Sequence, residues 1–435
     1  MRTPTGLVFA LLFVLALFMW EYYAHTRQLM DQRLTAAGFP ERNFSDLYPR
    51  WLGTRELLLH GHDPYSAEIT REIQRGYYGR PIDSTRATDP IDEQRFGYPL
   101  FVVFLLAPTI TLPFTVVQTL FTVLLSAAAV CTVLLWIQAS GLKVGRDKIF
   151  AWILLTLGSI PYAEGIQLQQ LSVLVAFFLA AAVYALANER FIIAGVLLAA
   201  ATIKPQLSAY FIGWVLLWTA GRWRFRKKVA ISFLTALIVL VLASAMLLTR
   251  WPFEFLAGIA PYLRYTQATT GIHELFGPVM GTLVLLFLAG VIVLAAWGAK
   301  FEPTDSDGFR LAISLVLAFT CIVIPSLAPH NQVVLVPACL LLVEERRRIW
   351  ASGRIARSLW LAACLALAWP WVAGSILDTT LVFDRTHTRL WALPFATNPL
   401  IPITIFAALM PLLVRPSGAG RVTGFSPALP RGLSD

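Results

Sequence analysis

Charge is scarce in this 435-residue chain: 14% of residues are Asp, Glu, Lys or Arg, whereas 57% are hydrophobic. No soluble domain needs so much apolar surface for its core, so a purely water-soluble enzyme is excluded and lipid is the main solvent. Cysteine is equally sparse. Cys131, Cys321, Cys339 and Cys364 all fall inside apolar runs without CxxC spacing or histidine neighbours, which suggests neither a disulfide framework nor a zinc site. There is no clear internal repeat and no low-complexity tract. Lysine numbers only six, and the stretch from residue 24 to 97 has none although it carries ten arginines and eleven acidic residues.

The formal charge of +10 is dispersed in short clusters between apolar runs. It therefore reads as membrane topology, with no nucleic-acid partner expected. KVGRDK at 143–148, GRWRFRKK at 221–228 and EERRRIWASGR at 344–354 mark the inner side. The lysine-free loop 24–97 is too long for that rule to hold it inside, and it is expected to be exported. The start resembles a leader in having a basic residue before an apolar stretch, but no small-residue cleavage site follows, and residues 6–23 are expected to be a retained span.

Thirteen apolar segments are long enough to be candidates: 6–23, 98–112, 115–137, 149–162, 171–187, 191–203, 206–220, 229–249, 279–298, 311–327, 331–343, 358–377 and 395–414. With both termini inside, the number of crossings is even. One candidate must then be partial, and the conflict between an exported first loop and an inner 143–148 cluster puts it in 98–137. The expectation is an all-α polytopic membrane protein with about 12 transmembrane helices, one domain over 1–414, and a Gly/Pro/Ser-rich disordered cytoplasmic tail over 415–435.

Polar residues in such a setting are the candidates for chemistry. In NFSDLYPRWLGTRELLLHGHDPYS, Pro49 suits a helix start and Gly61 its end, giving an interfacial helix whose Leu47, Trp51, Leu58 and Leu59 could face the bilayer. Asp46 stands just before it, either as an ordinary helix-start carboxylate or as a reactive one near the membrane surface. Tyr98, at an aromatic-Pro entry into the membrane, reads as an interfacial anchor. In PYAEGIQLQQLSVL, the polar Glu164, Gln167, Gln169 and Gln170 either form a wet loop or line a cavity. Lys204, followed by the helix-breaking Pro205, either snorkels or meets an anion such as a lipid phosphate. His330 and Asn331 lie between two spans, where a histidine is structural more often than catalytic.

In order and spacing, FSDLYPRW, LLLHGHDPYS, GYPLFVVFLLAP, IQLQQLSVL, AGVLLAAATIKPQ and PHNQ resemble glycosyltransferase family 87, the polyprenol-phosphate-mannose-dependent group of the GT-C superfamily. The resemblance runs over roughly residues 1–340. Two features depart from the family pattern: a single Pro99 replaces a double proline, and IQLQQ replaces Gly-Gln-x-Asn or Gly-Gln-x-Ser. The resemblance implies a GT-C fold with the catalytic loop at 24–97, and hexose transfer, with mannose the best-known sugar, from a polyprenyl-phosphate donor to a lipid or glycan acceptor. It implies Asp46 as base with His330 assisting, Lys204 and Arg264 on the donor phosphate, and Tyr65, Gln169, Gln170 and Asn331 around the substrate. It also implies an inverting reaction on the outer face of a bacterial inner membrane, where nucleotide sugars are absent. No Asp-x-Asp pair stands in the catalytic loop, so neither metal nor cofactor is expected. A transporter or flippase, the rival class, would commonly show two matching halves, and an O-antigen-ligase-like enzyme would carry its large loop late in the chain.

Overall fold

The computed structural model describes residues 5–39, 43, 45–83, 85–265, 269–324, 328–383 and 390–414. The tail expected to be disordered lies outside the described residues. Among those described there is no strand, and the chain has the architecture of a polytopic membrane protein. Its helices begin with α1 (Thr5–Ala36), then α2 (Tyr48–His60) and α3 (Ala67–Tyr78) in the first long loop, and α4 (Val102–Leu106). Next come α5 (Phe114–Ala139), α6 (Arg146–Gly158), α7 (Ile160–Gln167), α8 (Ser172–Ala187), α9 (Phe191–Ala201) and α10 (Pro205–Gly221). The second half holds α11 (Trp223–Leu247), α12 (Trp251–Tyr265), α13 (Gly271–Phe276), α14 (Pro278–Ala299) and α15 (Asp307–Val323). It ends with α16 (Val336–Glu344), α17 (Arg346–Ala351), α18 (Arg354–Phe383), α19 (Leu393–Thr397) and α20 (Leu400–Leu409).

Six helical stretches are long and apolar enough to cross a bilayer alone, and α6 with α7 forms a seventh candidate bent by 60°. Several sequence boundaries shift. The first helix continues to Ala36, well beyond residue 23, because TRQLMDQRLTA has no helix breaker before Gly38. Segment 98–112 becomes a five-residue α4 and a single 3-10 turn over Ala107–Thr109, too short to span. The 15-residue α12, absent from the candidate spans, fills the stretch before α13.

One apolar cluster joins α2, α4, α5, α8, α9, α10 and α11, and a second joins α14, α15, α16, α18 and α20. Ile292 and Cys321 pack against both. Outside them, Leu234, Ile238 and Leu242 of α11 and Leu286, Val293 and Leu294 of α14 are exposed, as an acyl-chain solvent requires. Helices in lipid gain no hydrophobic drive from one another, so they rely on close approach. At Gly195, an added Cβ would lie 2.5 Å from the Val229 carbonyl and 2.7 Å from the Phe233 nitrogen, which is how closely α9 and α11 meet.

The bundle has two chemically distinct ends. At one, Arg226 lies 3.5 Å over Trp218 and donates to the carbonyls of Lys300 and Glu302. Arg348 pairs with Asp307 at 3.3 Å, and Ser140, Thr304, Arg310 and Glu344 line one cleft. The clusters at 221–228 and 344–354 thus border this end, and Ser140, just before the third cluster at 143–148, lies there too. At the other end, Trp51 Nε1 donates to the Thr109 carbonyl, Phe114 packs on Tyr48 and Trp51, and Phe101 meets Trp251.

Candidate functional site

The second end holds most of the polar candidates. α2 is expected to lie on the bilayer through Leu47, Trp51, Leu58 and Leu59, and the structure corrects this. Leu47 and Trp51 are buried against α4, its 3-10 turn and Phe114, leaving Leu59 exposed. The sheltered face arises because 98–112 folds over α2 instead of crossing. Tyr98 is likewise buried, with the Arg50 guanidinium 4.6 Å from its ring centre, and so is no bilayer anchor.

Asp46 precedes α2 but does not cap it: Leu47 holds the cap position, and no side chain accepts there. The Asp46 amide instead donates to the Leu168 carbonyl at 2.9 Å, and its carboxylate Oδ2 accepts from Gln170 Nε2. One turn along α2, Arg50 Nη1 donates to the Asp46 carbonyl at 2.7 Å. The first loop and the α7–α8 turn are therefore stitched together at the aspartate, which leaves its carboxylate turned into the protein.

The α7–α8 turn is built for that task. Gln169 sits at φ 50°, a left-handed conformation that costs a non-glycine residue of order 1 kcal/mol. Its amide offsets this by donating to Thr122 Oγ1 at 3.1 Å and the Ile166 carbonyl at 3.0 Å, while its oxygen accepts from Gln118. The reversal aims Gln170, whose backbone N–H donates to the Gly165 carbonyl at 2.7 Å, back between Asp46 and Lys204. Gln170 Oε1 accepts from Lys204 Nζ at 3.0 Å. A buried primary amide thus links carboxylate to ammonium, its NH2 on the anion and its C=O on the cation.

Lys204 is buried at the N-terminus of α10, with Pro205 as first helical residue. Its surroundings include the charges of Arg50, Asp46 and Glu164. Two cations, two carboxylates and a helix N-terminus are thus gathered here, and the ammonium with the helix N-terminus is the part of the cluster that suits an anionic group. Glu164, on α7, accepts at Oε2 from the His330 backbone amide at 2.7 Å and lies 3.1 Å from His330 Nδ1. With Nδ1 donating, a neutral His330 carries its lone pair on Nε2.

Asp46, Gln170 and Lys204 are in direct line, and His330 joins them through Glu164 at the start of the same turn. Asn331 points elsewhere: it lines a small cleft with Gln332 and Cys321, and its buried Oδ1 has no partner among the described residues. Tyr65 is committed structurally, its hydroxyl donating to the Tyr98 carbonyl at 2.7 Å with its ring edge-on to Phe96. Arg264 falls near the end of α12, and its side chain lies outside the described residues.

Sequence reasoning missed Arg50 and Asp92 and left Glu164 without a role. Burial, with the Asp46 charge adding, raises the Asp92 carboxyl above the ordinary range against two hydrogen bonds from Gln94. Tyr77, near the same charges, is raised well above the usual phenol range by burial. Arg50 was findable, since it stands four residues after Asp46 on a helix. Asp92 was not, because only the fold of the loop brings it near. Among the described residues, the one grouping of three His, Cys or carboxylate ligands is Glu56 with His60 and His62, at the far end of α2 from Asp46.

A protein-family model described as glycosyltransferase family 87 matches residues 96–325. No curated protein and no solved structure matches the chain. The matched span includes Glu164, Gln170 and Lys204, whereas Asp46 and His330 lie outside it.

Proposed function

The chain belongs to glycosyltransferase family 87, and from that premise we propose that it transfers a hexose, mannose in the first instance, from a polyprenyl-phosphate donor to a hydroxyl of a lipid or glycan acceptor. Its setting is the outer face of a bacterial inner membrane. The observation that carries the reading is the Asp46–Gln170–Lys204 line, a carboxylate and a buried cation held one amide apart.

The acceptor oxygen attacks the anomeric carbon from the face opposite the phosphate, and the configuration inverts. Its proton passes to the Asp46 carboxylate. The bond from anomeric carbon to phosphate oxygen breaks, its electron pair leaving on the phosphate. That group is already a stable anion and requires no protonation. Positive charge close to it lowers the barrier, and Lys204 supplies this with the α10 N-terminus behind it. Lys204 has two N–H groups beyond the one given to Gln170, and Arg50 adds a second cation nearby. His330, oriented by Glu164, offers Nε2 to an acceptor hydroxyl.

The bundle's two ends support a topology of twelve crossings. The first loop with 98–112 stays outside, α6 and α7 make one broken span, and 329–344 and 390–414 each make one. Every basic cluster then faces the cytoplasm.

Asp46→Asn tests the reaction, because it keeps the side chain's shape and removes the proton acceptor. Loss of a general base costs about 10²- to 10⁴-fold in turnover. Purified variant in nanodiscs should insert and bind donor as before while transfer falls by that factor, and near-normal transfer would overturn the assignment.

A further inference from the structure

The geometry points to a divalent transition-metal site formed by Glu56, His60 and His62 at the C-terminal end of α2. Glu56 and His60 stand one helical turn apart on one face. Gly61 then adopts φ 73°, a left-handed turn open to glycine at little cost, and the His62 amide returns to the Glu56 carbonyl at 3.2 Å. The chain reversal carries the second imidazole to the same carboxylate. Glu56 Oε2 lies 2.8 Å from His60 Nδ1 and 3.2 Å from His62 Nδ1, and the three residues each offer a ligand atom within 4.8 Å of the other two.

These separations approach the edge of a metal tetrahedron, about 3.3 Å for ligands at about 2.0–2.1 Å from Zn²⁺. Two imidazoles and one carboxylate suit Zn²⁺ and its neighbours in the first transition row; Mg²⁺ and Ca²⁺ prefer oxygen. The carboxylate is mostly buried, while both imidazoles are about half exposed. Asp63 is no fourth ligand at Oδ1, which accepts the Tyr65 amide at 2.8 Å. The fourth position is left to water.

From Asp46, Glu56 is ten residues away and His60 fourteen, mostly along α2, roughly 15–20 Å at about 1.5 Å per residue. The site therefore stands apart from the reacting atoms, and its role is to pin the α2–α3 turn. A cation there also neutralises a buried carboxylate at the negative end of the helix dipole. The ion would sit in the loop that carries Asp46, and none of the catalytic steps proposed above is routed through it.

The test uses tag-free full-length protein in detergent, stripped with a chelator and titrated with Zn²⁺ and separately with Mg²⁺ by calorimetry. One Zn²⁺ per chain should bind saturably and raise the unfolding temperature, with no response to Mg²⁺. Co²⁺ should give visible absorption bands of a nitrogen- and oxygen-ligated ion. In the double variant H60A/H62A, whose exposed positions spare the core, affinity should fall by more than the about tenfold that even outer-shell changes cost. Glu56→Gln, which retains shape and a neutral oxygen, should weaken binding as well. Absence of saturable Zn²⁺ binding, or affinity unchanged in a monodisperse H60A/H62A protein, would overturn the site.

Discussion

Replacing Lys204 by Met separates a functional cation from a structural one. Methionine keeps the stem's bulk and removes the ammonium. In the structure the change deletes one hydrogen bond, from Nζ to Gln170 Oε1 at 3.0 Å, and leaves that buried oxygen without a donor. An unsatisfied buried acceptor costs about 1–3 kcal/mol. Against this, the variant no longer buries a charge in an apolar bundle, and that relief offsets much of the loss. Stability should therefore change by about 1 kcal/mol or less. Catalysis should suffer far more, since removing one preorganised donor from a developing anion costs about 10²- to 10³-fold in kcat. The assay is transfer from a short-chain polyprenyl-phosphate sugar in nanodiscs, with kcat and KM separated and Tm followed in parallel. A raised KM would place the ammonium on the donor phosphate in the ground state; a lower kcat would place it on the leaving oxygen. Lys204→Arg should recover only part of the activity, because a planar fork does not fit where a compact ammonium sits. Unchanged kinetics in well-folded Lys204→Met would refute the phosphate role and leave Lys204 as packing.

Gly195→Val should destabilise the bundle by about 2–3 kcal/mol or prevent insertion, because its Cβ would strike the backbone of α11; thermal unfolding in detergent measures this. The Arg80 guanidinium, paired bidentately with Asp89 and 3.7 Å from the Phe39 ring centre, holds the Asp89 carboxyl down to about 2. A depressed acid stabilises the fold above its unfolded pKa and loses that contribution as pH falls from about 4 through about 2. After solvent screening the amount is about 1 kcal/mol, and Asp89→Asn should flatten that part of the acid-stability curve. Single cysteines labelled by an impermeant reagent in intact cells should react within 24–97 and remain protected within 221–228; the opposite pattern would invert the topology.

How much was legible in advance follows from the range of the forces involved. Apolar run length and the placement of Lys and Arg are local quantities, and they determined the helical membrane class, the basic clusters that gather at one end, and the candidacy of Asp46, Gln170 and Lys204. Gly61 and Pro49 likewise announced the ends of α2 through their own backbone preferences. What the chain could not state locally was which buried surface each segment meets. Segment 98–112 is apolar enough to read as a span, yet it covers α2, and this turns Leu47 and Trp51 inward. Asp46 looks like a helix cap in sequence, but its carboxylate meets Gln170, 124 residues away. Glu164 and His330 are separated by 166 residues, and neither side chain has meaning until the α7–α8 reversal places it. Composition sets the solvent a residue seeks, whereas only tertiary packing decides which charge lies beside which, because electrostatic pairing acts over a few ångströms of space and is indifferent to distance along the chain.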